Sequence, residues 1–165
     1  MKRSILFSAI LLLLFTALLA WHIMQEKETE QYRVVRIADG DSFTVSKNGD
    51  ELEVRLFGID APEREQPYYR KAGLFTEKFL KKGTIRVEAI DRDRFGRTVA
   101  WVYVDSLNLN HVLVGHGLAW HFTRYSSDTT LARLEDSARA AKAGLWSDPA
   151  PVPPWEFRKR KRGQM

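Results

Sequence analysis

Apolar and polar positions follow three regimes along this chain. An uncharged, mainly apolar run occupies Ile5–Trp21 (ILFSAILLLLFTALLAW), strand-like segments fill the middle, and helical spacing takes over in the last third. In the middle, Tyr32–Ile37 (YRVVRI) and Ser42–Lys47 (SFTVSK) are rich in β-branched residues, and Asn48-Gly49 supplies a hairpin turn. Glu51–Ile59 follows, with Leu52, Val54 and Leu56 alternating against Glu53 and Arg55, so one face is buried and one polar. Pro62 stops that strand, and a helix is predicted over Tyr68–Lys82, closed by Gly83. Further strands are predicted at Thr84–Ile90 and Thr98–Val104. Leu107–His116 reads as helical with Gly117 as its cap. Asp128 begins a last helix to about Ala143, on which Leu131, Leu134, Ala138, Ala141 and Leu145 recur at helical spacing. Pro149–Trp155 (PAPVPPW) is expected to lie as an extended strap. Short strands with interspersed helices predict an α+β, mainly β fold: a small closed barrel of the OB type carrying helices at one end.

The N-terminal run changes the picture of location. Lys2 and Arg3 precede an apolar run 17 residues long, at the short end of the roughly 17–25 needed to span a bilayer. The pattern reads as a signal anchor or a signal peptide over residues 1–24, and the lack of an A-x-A site at Ala20 favours an uncleaved anchor. With the positive residues inside, the following domain is expected to be extracytoplasmic and tied to the membrane, or secreted or periplasmic if the signal is removed. Residues 25–31 form a linker, 32–157 a domain, and 158–165 a basic tail.

Charge matters only once it is located. The net +5 suggests a nucleic-acid-coating surface, yet Arg158–Arg162 (RKRKR) with Lys2 and Arg3 account for seven basic residues. The remaining stretch 25–157 holds 19 basic and 21 acidic side chains, a net −2. Affinity for a polyanion must then come from a few placed arginines and a metal, with the tail either steering polyanions, touching anionic lipid or lying solvated. The absence of cysteine excludes disulfides and thiolate metal sites.

Three clusters carry candidate chemistry. Asp39-Gly40-Asp41-Ser42 sets two carboxylates around a turn, which is electrostatically costly without a cation or donors nearby. Arg55 to Glu63 (RLFGIDAPE) runs a strand into Asp60 and Glu63, with Pro62 stiffening the backbone between them. Asp91 to Arg97 (DRDRFGR) reads as a charged hairpin that could bring Arg97 to the site Arg55 faces. Each alone is an ordinary turn, loop or hairpin. Together, Asp41 and Asp60 offer the oxygen ligands a hard cation prefers.

These pieces, namely IADGDSFTV at Ile37–Val45, VRLFGIDAPE at Val54–Glu63, DRFGRTVAWVYV at Asp93–Val104, GHGLAW at Gly115–Trp120 and AKAGLWSDPAPVPPWE at Ala141–Glu156, resemble the staphylococcal nuclease (thermonuclease) family over about residues 32–157. The resemblance implies a five-stranded OB-type barrel with three helices and a calcium-dependent nuclease that acts on single-stranded DNA or RNA. It further implies 3′-phosphate products; an open barrel face with no end-blocking insertion leans towards internal attack, and a monomer is expected. By the same resemblance Asp41 and Asp60 bind Ca2+ with the backbone carbonyl of Ala61, Glu63 is the general base, and Arg55 and Arg97 bind phosphate. The family often has threonine where Ala61 stands, and alanine removes a hydroxyl beside the carboxylates.

His111, His116 and His121 recur at spacing five, which does not suit a helical metal site. His121 and Tyr125 are candidate groove residues, since either ring can stack on a base. The rival readings are a catalytically inactive OB-type module that binds nucleic acid or protein, and a membrane-surface protein whose basic tail matters most.

Overall fold

The computed structural model describes residues 11–21 and 31–163. Two units divide the chain, Met1–Gln31 and Tyr32–Met165. Within the first, residues 11–21 form a helix whose Leu, Phe and Trp side chains are exposed. Among the described residues no helix is long and apolar enough to cross a membrane. The rest of the expected anchor, and the linker apart from Gln31, lie outside the described residues.

In the second unit, strands β1 (Arg33–Ile37), β2 (Ser42–Lys47) and β3 (Asp50–Leu56) form an antiparallel meander. Asn48 and Gly49 both take positive φ between β2 and β3, the geometry a tight two-residue hairpin requires. Strand β3 ends at Leu56, three residues short of the segment the alternation predicts. The chain then turns through Phe57-Gly58 into a separate short strand β4 (Ile59–Asp60). Helix α1 (Tyr69–Leu80) follows, then β5 (Ile85–Arg92) and β6 (Thr98–Val104), whose Thr98, Ala100, Val102 and Val104 are all buried. The segment predicted as one helix from Leu107 begins as β7 (Leu107–Asn108) and becomes α2 (Leu109–Gly115), with the Asn108 side chain accepting from the His111 amide. After β8 (Trp120–His121), Asp128 caps α3 (Thr129–Ala140) by accepting from the Leu131 amide at 2.8 Å. A short 3₁₀ turn, Gly144–Ser147, precedes α4 (Pro154–Gly163).

The strand order is β1-β2-β3-β6-β5, with β7 beside β6 and β4 paired to β8 as a separate ribbon. Tyr32, immediately before β1, bridges Ile85 at the start of β5, so the two edges of the order meet. The α+β, mainly β expectation therefore holds. The helix count differs, with four α-helices and one 3₁₀ turn among residues 31–163. The extra helix is α4, in place of a strap running on into a loose tail. Pro154 is its first residue, where the missing N–H costs nothing and the ring presets the helical φ.

The core gathers Val45, Val54, Leu56, Ile59, Val102, Leu109, Leu113 and Leu131. Asn110 is fully buried among them: its Oδ1 accepts from the Val102 amide at 3.1 Å, and its Nδ2 donates to the Phe57 carbonyl at 2.8 Å. It thus ties β6 to the turn that aims β4. Asn110→Ala strands a buried N–H and a buried C=O, so it is expected to lower stability by about 2–5 kcal/mol in urea unfolding. A loss below about 1 kcal/mol would show that water replaces both bonds.

Candidate active site

Sheet register brings the three clusters to one end of the fold. Ser42 at the start of β2 lies opposite Arg55 near the end of β3, and Arg55 pairs in turn with Val99 at the start of β6. Asp41 therefore precedes Arg55's partner, and Arg97 precedes β6 on the other side. The Leu56 amide donates to the Asp41 carbonyl at 2.9 Å, and Thr76 Oγ1 of α1 donates to the Gly40 carbonyl at 2.6 Å. Gly40 is required by that packing, because a Cβ there would lie 2.7 Å from the Cβ of Ala72 and 2.8 Å from that of Ala61.

Arg55 is the hub. Its Nη1 lies against Asp41 Oδ1, and its Nη2 donates to Asp60 Oδ1 at 2.8 Å and to the Ile59 carbonyl at 3.2 Å. Asp41 is 4% exposed and Asp60 1% exposed, so two carboxylates converge on one guanidinium in a nearly dry setting. The second oxygen of Asp41 accepts from the Ala61 amide, which locks the β4 exit onto the β2 entrance. Burial pushes the Arg55 guanidinium below its ordinary value, against the opposing fields of Asp60 and Asp39. Burial likewise raises Asp39, whose Oδ1 accepts from the Asp41 amide at 3.0 Å.

Arg97 arrives preorganised. Asp93 receives its Nε at 2.8 Å and Nη2 at 2.7 Å, while Arg97 Nη1 donates to Ser42 Oγ at 3.1 Å. Partial burial would raise the Asp93 carboxyl, but hydrogen bonds from Arg97 and the Phe95 amide hold it below its ordinary value. Glu63 lies on the loop after β4 with its backbone amide donating to Gln66 Oε1 at 2.8 Å. Its carboxylate meets a residue from the far end of the chain: Arg158 Nη1 donates to Glu63 Oε1 at 2.5 Å, and Arg158 Nη2 donates to Asp60 Oδ2 at 2.7 Å.

Such a site has carboxylate oxygens, three guanidinium groups and a carboxylate that water can reach, a set suited to an anionic ester. The model of the staphylococcal nuclease homologue family matches residues 53–148. A protein of Escherichia coli named as an uncharacterized endonuclease is 42% identical over 130 residues, 78% of this chain and 85% of its own. Another so named, of Haemophilus influenzae, is 36% identical and covers 99% of this chain and 90% of its own length. The staphylococcal-like nuclease CAN1 of Arabidopsis thaliana is 37% identical over 113 residues, 68% of this chain and 35% of its own. This chain belongs to the staphylococcal nuclease homologue family.

In this staphylococcal nuclease homologue, Asp41, Arg55, Asp60, Ala61, Glu63 and Arg97 occupy one neighbourhood. His121 does not line a groove: it is 4% exposed because it pairs with Ile59 across the β4–β8 ribbon. Tyr125 is 64% exposed, edge-on to Phe122 with ring centroids 4.9 Å apart, and remains available for stacking. Among the described residues no group of three or more His, Cys, Asp or Glu gathers in metal-ligand geometry. A cation here would rest on Asp41, Asp60, backbone carbonyl and water, an all-oxygen set that fits a hard ion. The residue that sequence reasoning missed is Arg158, placed with the loose tail. Pro153-Pro154 before Trp155, with Arg158 and Lys161 at successive three-residue steps, is the signal of a docked helix.

In carboxyl-carbon NMR without divalent ions, Asp39 should titrate above, and Asp93 below, the ordinary value of 3.8. The Asp39 contribution to stability is then lost as pH rises through its folded value, and that of Asp93 as pH falls through its own. The reverse order would mean that the Arg97–Asp93 fork is open in solution.

Proposed function

We propose that this protein is a calcium-dependent nuclease that hydrolyses phosphodiester bonds within DNA or RNA strands and leaves 3′-phosphate ends, acting as a monomer. The observation that carries the reading is the convergence of buried Asp41 and Asp60 on Arg55, with Glu63 and the Asp93-held Arg97 beside them. Asp41, Asp60 and the Ala61 carbonyl are the residues to hold calcium, whose chemistry when bound is to neutralise a phosphate oxygen. Arg55 and Arg97 are held by carboxylates in the free protein; their guanidinium N–H groups would turn to the remaining oxygens, where such bonds strengthen as charge grows in the transition state. Glu63 takes a proton from the water that attacks phosphorus, and the bond to the 5′-oxygen breaks. The cost of stripping water from the phosphate is offset by fixed donors whose positions are set before substrate arrives.

Lys2 and Arg3 ahead of Ile5–Trp21 support a domain held outside the cytoplasmic membrane, where extracellular nucleic acid is the accessible substrate. Cell fractionation should recover the full chain with membranes, and external protease should digest its C-terminal domain. Recovery from the cytosol in a protease-protected form would overturn that placement.

The activity test is cleavage of single-stranded DNA by the full chain with calcium, beside Glu63→Gln and a chelator. Cleavage should require calcium and fall on the order of 10²-fold or more in the variant. A folded protein that binds nucleic acid but stays inert under every divalent ion would instead make the barrel a binding module.

A further inference from the structure

The C-terminal basic run does more than add charge. Helix α4 is anchored by contacts that do not involve Arg158. Pro154 is buried, Trp155 stacks on Phe122 with centroids 5.0 Å apart, and the same ring stands edge-on to Trp120 at 5.7 Å. Gln66 Nε2 donates to the Val152 carbonyl at 2.8 Å just ahead of the helix, and Lys161 Nζ reaches Glu65 at 2.9 Å one turn past Arg158. Trp155, Arg158 and Lys161 thus lie on one face at helical spacing, and that face covers the loop carrying Glu63.

Arg158 uses both ends of its fork. Nη1 donates to Glu63 Oε1 at 2.5 Å and to Asp60 Oδ1 at 3.2 Å, while Nη2 donates to Asp60 Oδ2 at 2.7 Å. Two like charges on neighbouring segments would otherwise repel and splay the loop. A planar, permanently charged guanidinium between them sets their separation and orientation in a way a point charge does not. Among the described residues only Oε1 of Glu63 is bonded, which leaves Oε2 to accept a proton from water. The same loop is held at its backbone, because Gln66 accepts from the Glu63 amide and donates to the segment leading into α4.

We infer that Arg158 is a positioning residue of the active centre, bridging Asp60 and Glu63 so that the Glu63 carboxylate is held for proton abstraction. The inference rests on the nuclease reading above. It makes the segment after the family-matched region part of the machinery.

The test compares the full-length wild type with Arg158→Ala, Arg158→Lys and the neighbouring Lys161→Ala. It measures kcat and KM on single-stranded DNA, calcium affinity by calorimetry, and rescue by ethylguanidine. Arg158→Ala should lose at least about 10-fold in kcat with KM changed less than about threefold, and ethylguanidine should restore part of the loss. Calcium should bind it no more weakly than wild type, because a competitor for the Asp60 oxygens has gone. Arg158→Lys should fall between, and Lys161→Ala should turn over like wild type. An unchanged or faster kcat in Arg158→Ala would overturn the inference and make α4 an inhibitory latch. A loss confined to KM would make Arg158 a substrate ligand. Weakened calcium binding without rescue would reduce its role to holding the fold. A wild type inert with every divalent ion defeats the nuclease reading itself, and this inference with it; an active wild type beside an equally active Arg158→Ala defeats this inference alone.

Discussion

Two carboxylates with almost no access to water must be compensated, and the compensation of Asp41 and Asp60 by Arg55 organises everything near it. A buried unpaired charge costs several kcal/mol. The fold therefore has to deliver a guanidinium to both acids at once. It does so through β-sheet register: Arg55 faces Ser42 across β2–β3, and Asp41 is the next residue back. The second acid comes from a different ribbon, where β4 pairs with β8 and sets Asp60 opposite Trp120. One hub thus joins the main sheet to a two-stranded ribbon that is no part of its strand order.

Backbone contacts lock the hub in place. The Ala61 amide on Asp41, the Leu56 amide on the Asp41 carbonyl and the Thr76 hydroxyl on the Gly40 carbonyl each remove a freedom the acidic turn would otherwise have. Such preorganisation matters for a reaction whose main barrier is charge, since donors already in place need not reorganise as charge develops. Arg97 shows the same logic at the other wall, with its fork taken by Asp93 and one nitrogen left against Ser42.

Aromatic packing extends the site to the C-terminus. Trp120, which pairs with Asp60, packs edge-on against Trp146 at 4.2 Å and Trp155 at 5.7 Å. Arg139 lies over the Trp146 ring at 3.8 Å. The strand that places a buried acid is therefore continuous with the cluster that docks α4, and Arg158 reaches the acid from that helix. Charge and packing thus converge on Asp60.

Local pattern determined a great deal by itself. Alternation marked β3, β-branched residues marked β2, Asn48-Gly49 marked the hairpin, and Asp128 marked the start of α3, because each depends on residues only a few positions apart. The motifs around Asp41, Arg55, Asp60, Glu63 and Arg97 were legible for the same reason, as was the family they resemble. What the sequence could not decide was which distant groups meet. The turn at Phe57-Gly58 removed Asp60 from β3, pairing across β4–β8 buried His121, and α4 carried Arg158 to acids 95 and 98 residues earlier in the chain. A run of five basic residues has the composition of a solvated tail. Only the tertiary structure, by docking Trp155 against Phe122 and Trp120, turns one of those five inward, because a side chain's neighbours are set by long-range packing and not by its own segment.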